Sequence, residues 1–159
     1  MKSNVVQHQT DINTDIILID EVVASSQHSL AFYTQAITAI DDYKLKRIFS
    51  MQINIYQRIL ALLTSPQQHM VLSSTAQQTL SARARQTQKH ATYTQAQTLL
   101  HQEYFYEGVA HLINIEQGRL TVLKQAVKQA HQPHTAQNLA ESAAWLQSSC
   151  DEMTSFCRR

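Results

Sequence analysis

Glycine and proline are nearly missing, with two of each in 159 residues. Strands need turns, and turns usually draw on those two residues. Their scarcity, beside abundant Ala, Gln and Leu, predicts a few long helices. It also argues against a glycine-rich loop that cradles phosphate. No P-loop, dinucleotide fingerprint or G-x-S-x-G elbow occurs. A charge surplus is missing too. The formal net charge of +1 gives no global field to recruit nucleic acid or an acidic membrane. Neither is expected as a partner. The densest apolar run, Ile16 to Ile19, is flanked by Asp15 and Asp20 and is far too short to span a bilayer. The opening residues, MKSNVVQHQTDINTD, show no secretory signal pattern. The two cysteines, Cys150 and Cys157, are two helical turns apart, roughly 10 Å, too far for a disulfide between them. A reduced, cytoplasmic protein is therefore expected. Both thiols read as small core residues, because no positive partner stands near them in sequence.

What is present is a chain of one-domain length. Residues 14–157 are taken as the domain and 1–13 as a flexible N-terminus. The breaks are few: Asp41-Asp42, Thr64-Ser65-Pro66 and His131-Gln132-Pro133, with Thr135 as the predicted N-cap of the last helix. They delimit helix A at about 14–40, helix B at 42–64, helix C ending near 131 and helix D at 135–157. Residues 67–97 form a connecting region with a helix of its own. There Leu80, Ala84 and Ala91 make a thin stripe, and Arg83 to His90 reads as a solvated face or a small anion patch. Short links after A and before D predict hairpins. The long B–C link permits a crossover along the bundle.

At 100° per residue, each helix carries an apolar seam. In helix A it runs through Ile19, Val22, Ile37 and Ile40, with Val23, Leu30 and Tyr33 beside it and Ser26 in its middle. In helix B it holds Leu45, Ile48, Ile55, Tyr56, Ile59 and Leu63 around Gln52. Helix D contributes Leu139, Ala143, Leu146, Cys150, Met153 and Cys157. In helix C, Phe105, Val109, Leu112, Leu120, Leu123 and Val127 share one side. Glu103, Glu107 and His111 fall opposite and read as a wet face. Glu116 projects near the centre of the apolar stripe. A buried carboxylate must be neutralised, hydrogen-bonded or cation-bound. Three readings follow: an interior network with Tyr33, Tyr56, Gln52 and Ser26, a cation or small polar ligand, or a helical break at Gly108 or Gly118 that turns Glu116 outward.

The run YTQAITAIDDYKLKRIF, with Tyr33, Ala36 and Phe49 at its spacing, resembles a bacterial group of ferritin-like four-helix bundles whose domain has no assigned function. Glu116 in IEQGRLTVL stands where that group has a Glu-rich turn, and Cys150 in SSCDEM stands where it usually has His. The resemblance spreads over about residues 14–157. It implies an all-α, ferritin-like antiparallel four-helix bundle with a long B–C crossover, and an association with stress responses. Di-iron members carry Glu from two helices and Glu-x-x-His from two others. The corresponding positions here hold Ser26, Tyr56 and Ile59, while Glu141 is followed three residues on by Ala144. Glu116 alone remains as a metal candidate, and one carboxylate does not hold two irons.

The eight histidines are scattered. His131-x-x-His134 reads as a polar loop or a surface metal pair. Tyr104 and Tyr106 flank the core line of helix C, to extend an interface or to cover the bundle end. The expectation is a non-catalytic bundle without a cofactor, homo-oligomeric or bound to a protein partner. The alternatives are a binder of a small ligand or metal ion with Glu116 in the pocket, or a degenerate di-iron protein.

Overall fold

The computed structural model describes residues 2–65 and 92–158. Among these residues every regular element is helical. α1 spans Lys2–Ala36 and runs into a 3-10 turn at Ile37–Ala39. It is followed by α2 (Tyr43–Leu63), α3 (Thr94–His101), α4 (Phe105–Gln129) and α5 (Pro133–Cys157). The stripe and patch expected over residues 80–91 lie outside the described residues. No helix among the described residues is long and apolar enough to cross a membrane.

α1 begins at Lys2, well before the boundary expected near residue 14, so residues 2–13 belong to a helix. Nothing in this stretch stops a helix, since it lacks both proline and glycine. Thr10 and Thr14 hydroxyls donate to the carbonyls of Val6 and Thr10, at 2.9 and 3.0 Å. Residues 4–10 are exposed, with Val5 and Val6 in solvent. Periodicity misses this overhang because it carries no buried stripe.

α2 is capped by Asp42, whose side chain accepts the Leu45 amide at 2.8 Å. α5 starts at Pro133, which occupies the first helical turn, where its missing N–H costs nothing. Thr135, expected to cap α5, lies inside that turn and is buried. Asp15 of α1 supplies acceptors instead. Its Oδ1 takes the His131 amide and its Oδ2 the Gln132 amide, each at 2.8 Å.

α3 and α4 are separate because Glu103 has φ 63°. The Tyr104 amide donates to the Leu99 carbonyl at 2.9 Å, and the Glu103 amide to Leu100 at 3.1 Å. This paired closure ends a helix through one left-handed residue, a position that usually falls to glycine. Glu103 is therefore not on the helical face that Glu107 and His111 share.

α1 packs on α2, α2 on α5, α5 on α4, and α3 on α4. α1 and α4 scarcely touch. At one end of their gap Tyr93 fills the space, stacked on Phe32 of α1 with ring centroids 4.2 Å apart. Towards Glu21 and Val122 the gap stays open as a groove. The core is formed by Leu45, Phe49, Ile59, Leu63, Leu112, Leu139, Leu146 and Met153, all fully enclosed.

Candidate functional site: a carboxylate among three phenols beside an open groove

Regular helical geometry places Glu116 on the stripe of Leu112, Leu120 and Leu123, and all four are buried. The Glu116 carboxylate is fully enclosed. The Tyr33 hydroxyl donates to Oε1 at 2.8 Å, and the Tyr93 hydroxyl donates to the same oxygen at 3.0 Å. The Tyr56 hydroxyl donates to Oε2. Ser29 Oγ lies 2.7 Å from Tyr93 Oη; since the Tyr93 proton goes to Glu116, Ser29 donates to Tyr93, with the Ser25 carbonyl at 3.1 Å as its alternative acceptor. Its hydroxyl thus ties the third phenol back to α1.

The rings are packed as well as bonded. Tyr33 meets Phe49 edge-on at 5.2 Å and Phe32 at 5.0 Å. Burial fixes the phenol positions, and the carboxylate gathers their hydroxyls.

Burial raises the pKa of Glu116. Arg119 and the hydrogen bonds from Tyr56, Tyr33 and Tyr93 pull it back, yet it stays above the usual carboxylate value. Burial first, and the facing Glu116 second, push Tyr33, Tyr56 and Tyr93 above the ordinary phenol range. The three phenols therefore stay protonated and act as donors.

Gln52 and Ser26 are buried but do not join this cluster. Gln52 Nε2 donates to Met153 Sδ at 3.3 Å, and the Ser149 hydroxyl donates to Gln52 Oε1 at 3.3 Å. Ser26 lines the groove between α1 and α4. Three participants escaped the sequence reading: Tyr93, Ser29 and Arg119. Tyr93 fell in the stretch read as a connector, and Ser29 sits outside the seam drawn for helix A. Arg119 follows Glu116 by three residues, a spacing that puts both on one side of α4 and could have flagged it.

Arg119 stands between the network and the groove. Its Nη1 donates to the Ser25 carbonyl at 3.0 Å. Its guanidinium carbon lies 5.5 Å from the centre of the Tyr93 ring. Its Nε is buried without a hydrogen-bond partner. Burial lowers the Arg119 pKa, but Tyr93, Tyr56 and Glu116 more than offset that, so the cation is retained.

The groove has a volume of about 390 Å³. Val22, Ile115, Val122, Leu123 and Leu146 make its apolar walls, and Tyr56 and Arg119 belong to its polar lining. A Cβ built on Gly118, which also lines it, meets nothing within 4 Å.

The Glu116 environment is a poor metal site. Each surrounding oxygen is a protonated phenol that already donates to the carboxylate, whereas a cation needs lone pairs turned towards it. Among the described residues no three His, Cys, Asp or Glu side chains gather as a metal-binding group. His131 and His134 face different partners. His131 Nδ1 lies 3.6 Å from Asp11, and His134 Nε2 lies 3.3 Å from Asn138 Nδ2.

Cys150 is buried, and Cys157 is partly so. Burial, then the charges of Glu116 and Asp151, push the Cys150 thiol up to about 12, which suits a packing residue and not a nucleophile.

No family model, curated protein or solved structure matches this chain.

Proposed function

We propose that this protein is a non-catalytic helical bundle that binds a small molecule in the groove between α1 and α4. The observation that carries the reading is the groove itself. Two long helices part, and the gap has apolar walls with a few polar groups, the usual make-up of a ligand site. The carboxylate and its phenols hold one side of that site rigid. Their three hydroxyls all donate to Glu116, which favours binding over catalysis. Four long helices with short links after α1 and α4 support a ferritin-like arrangement.

A neutral apolar fluorophore, phenylnaphthylamine, tests the reading. Saturable fluorescence enhancement is expected with the wild-type chain. It should vanish in Gly118→Leu, which fills the groove from a position with open space. Equal enhancement in both chains would overturn the proposal. Stoichiometric metal in protein purified without chelator, lost in Glu116→Gln, would replace it with a metal-binding role.

A second reading rests on exposed aromatics. Tyr43, Tyr104 and Tyr106 lie largely in solvent, and Tyr106 stacks on Phe156 with ring centroids 5.3 Å apart. Tyrosine tolerates half-burial at an interface, so this end of the molecule suits contact with a second copy or a protein partner. Light scattering tests the homo-oligomer, and a monomer at high concentration would count against it.

A further inference from the structure

We infer that the groove takes a small amphipathic anion, a carboxylate with a short apolar tail, anchored on Arg119. The inference rests on the groove being a ligand site and adds the chemistry of the ligand.

Arg119 retains its charge, and Glu116, which acts on it through space, makes no hydrogen bond or ion pair with it among the described residues. Its guanidinium has five N–H donors, and its one hydrogen bond among the described residues goes to the neutral Ser25 carbonyl. Neither of the two ion pairs among the described residues, Arg47–Glu152 and His131–Asp11, includes it. Glu116 lies three residues before Arg119 on α4, but its oxygens already accept from three phenols. The remaining donors of Arg119 thus want an acceptor of opposite charge, and a carboxylate fits a guanidinium edge in bidentate fashion.

The plane of the guanidinium is held from two sides. The Ser25 carbonyl fixes one nitrogen, and the Tyr93 ring lies over one face. An anchor of this kind loses little conformational entropy when it pairs. Beyond it the walls are hydrocarbon: Val22, Ile115, Val122, Leu123 and Leu146. They suit a tail and offer it no hydrogen bonds. The acidic lining residue, Glu21, is exposed to water, where solvent weakens its repulsion of an anion. Ser25, Ser26 and Asn114 add neutral polar groups to the same lining.

A length-matched series tests the inference by displacement of phenylnaphthylamine: octanoate, octanol and octylamine. Octanoate should displace the fluorophore at concentrations about ten- to a hundredfold below octanol, the range that a charge-assisted hydrogen bond gives. Octylamine should be the weakest. In Arg119→Met the advantage of octanoate over octanol should disappear while octanol keeps its own affinity. Octanol or octylamine matching octanoate on the wild-type chain would overturn the anion inference and leave the groove reading standing. The charge series on the wild-type chain decides this point even if Arg119→Met fails to fold. Failure of the fluorophore itself to bind would overturn both. Octanoate binding Gly118→Leu as well as wild type would place any carboxylate site elsewhere and also defeat the inference.

Discussion

Asp15 and Gln132 lie 117 residues apart in sequence, yet Asp15 Oδ2 accepts the Gln132 amide at 2.8 Å. With the His131 amide on Oδ1, one buried carboxylate on α1 closes the turn that starts α5. This is a helix cap supplied from a distant segment, and it binds the first helix to the last. Replacing Asp15 by Ala leaves two amides without their partner. The expected cost is about 2–4 kcal/mol, from one to two lost charge-assisted bonds. Urea denaturation measures it. A cost near that of an ordinary surface substitution would show that water replaces the carboxylate.

The Glu116 network makes a sharper prediction about compensation. Glu116→Leu removes the acceptor from three phenols, of which Tyr93 keeps Ser29 within 2.7 Å. The loss should be about 2–5 kcal/mol, the penalty of buried orphan donors. Adding Tyr33→Phe and Tyr56→Phe removes the stranded hydroxyls and should recover more than half of it. A thermodynamic cycle on unfolding free energies, with the two phenylalanine substitutions taken as one step, checks this. Additive costs would mean that the hydroxyls and the carboxylate act independently.

The same carboxylate sets a pH dependence with a definite sign. Burial holds its folded pKa above the reference value of 4.5. Below that reference the group is protonated in both states and adds no slope. As pH rises from there towards the folded value, the native state keeps its proton longer, so stability from this group falls. Above the folded value its contribution is flat. The unfolding free energy of wild type minus that of Glu116→Gln should therefore decline with rising pH across this window. A difference that grows with pH would mean that the phenols and Arg119 outweigh burial.

Periodicity reveals much of this architecture and little of its joinery. Glu116 lies on the same stripe as Leu112 and Leu120, and Leu45 to Leu63 form one face of α2, because burial follows the helical repeat. Tyr93 lies outside any long stripe, just before a helix of eight residues. Asp15 caps a helix that begins more than a hundred residues later, and no local pattern encodes such a partner. Pro133 carries two opposite meanings, helix stop and first-turn residue, and only the backbone decides between them. The break at Glu103 is silent in sequence because the left-handed position is held by a residue that does not usually mark one.

That break gives a direct test. Glu103 is the one described residue other than glycine with positive φ. Its side chain is exposed. Glycine takes this conformation without a Cβ clash, so Glu103→Gly should stabilise the chain by about 0.5–1 kcal/mol after the added freedom of the unfolded state is counted. Thermal unfolding should show a higher midpoint. A lower one would mean that the carboxylate contributes more than the strain costs.

The two glycines of α4 should respond oppositely to the same substitution. At Gly118 a Cβ meets nothing within 4 Å, so Gly118→Ala adds only helix propensity and should stabilise by about 0.5–1 kcal/mol. At Gly108 a Cβ would stand 2.9 Å from Leu100 Cδ2 and 3.2 Å from Leu100 Cγ. Leu100 is buried, 8% exposed, where α3 packs on α4. Both of its nearest atoms must move, and overpacking of this kind costs about 1–3 kcal/mol, more than the propensity gained. Gly108→Ala should therefore lower stability in denaturant melts. Truncating its neighbour in the double variant Gly108→Ala/Leu100→Ala should make the combined cost smaller than the sum of the two. Strict additivity would show that the α3–α4 contact yields without strain and that Gly108 is not what lets α3 lie so close.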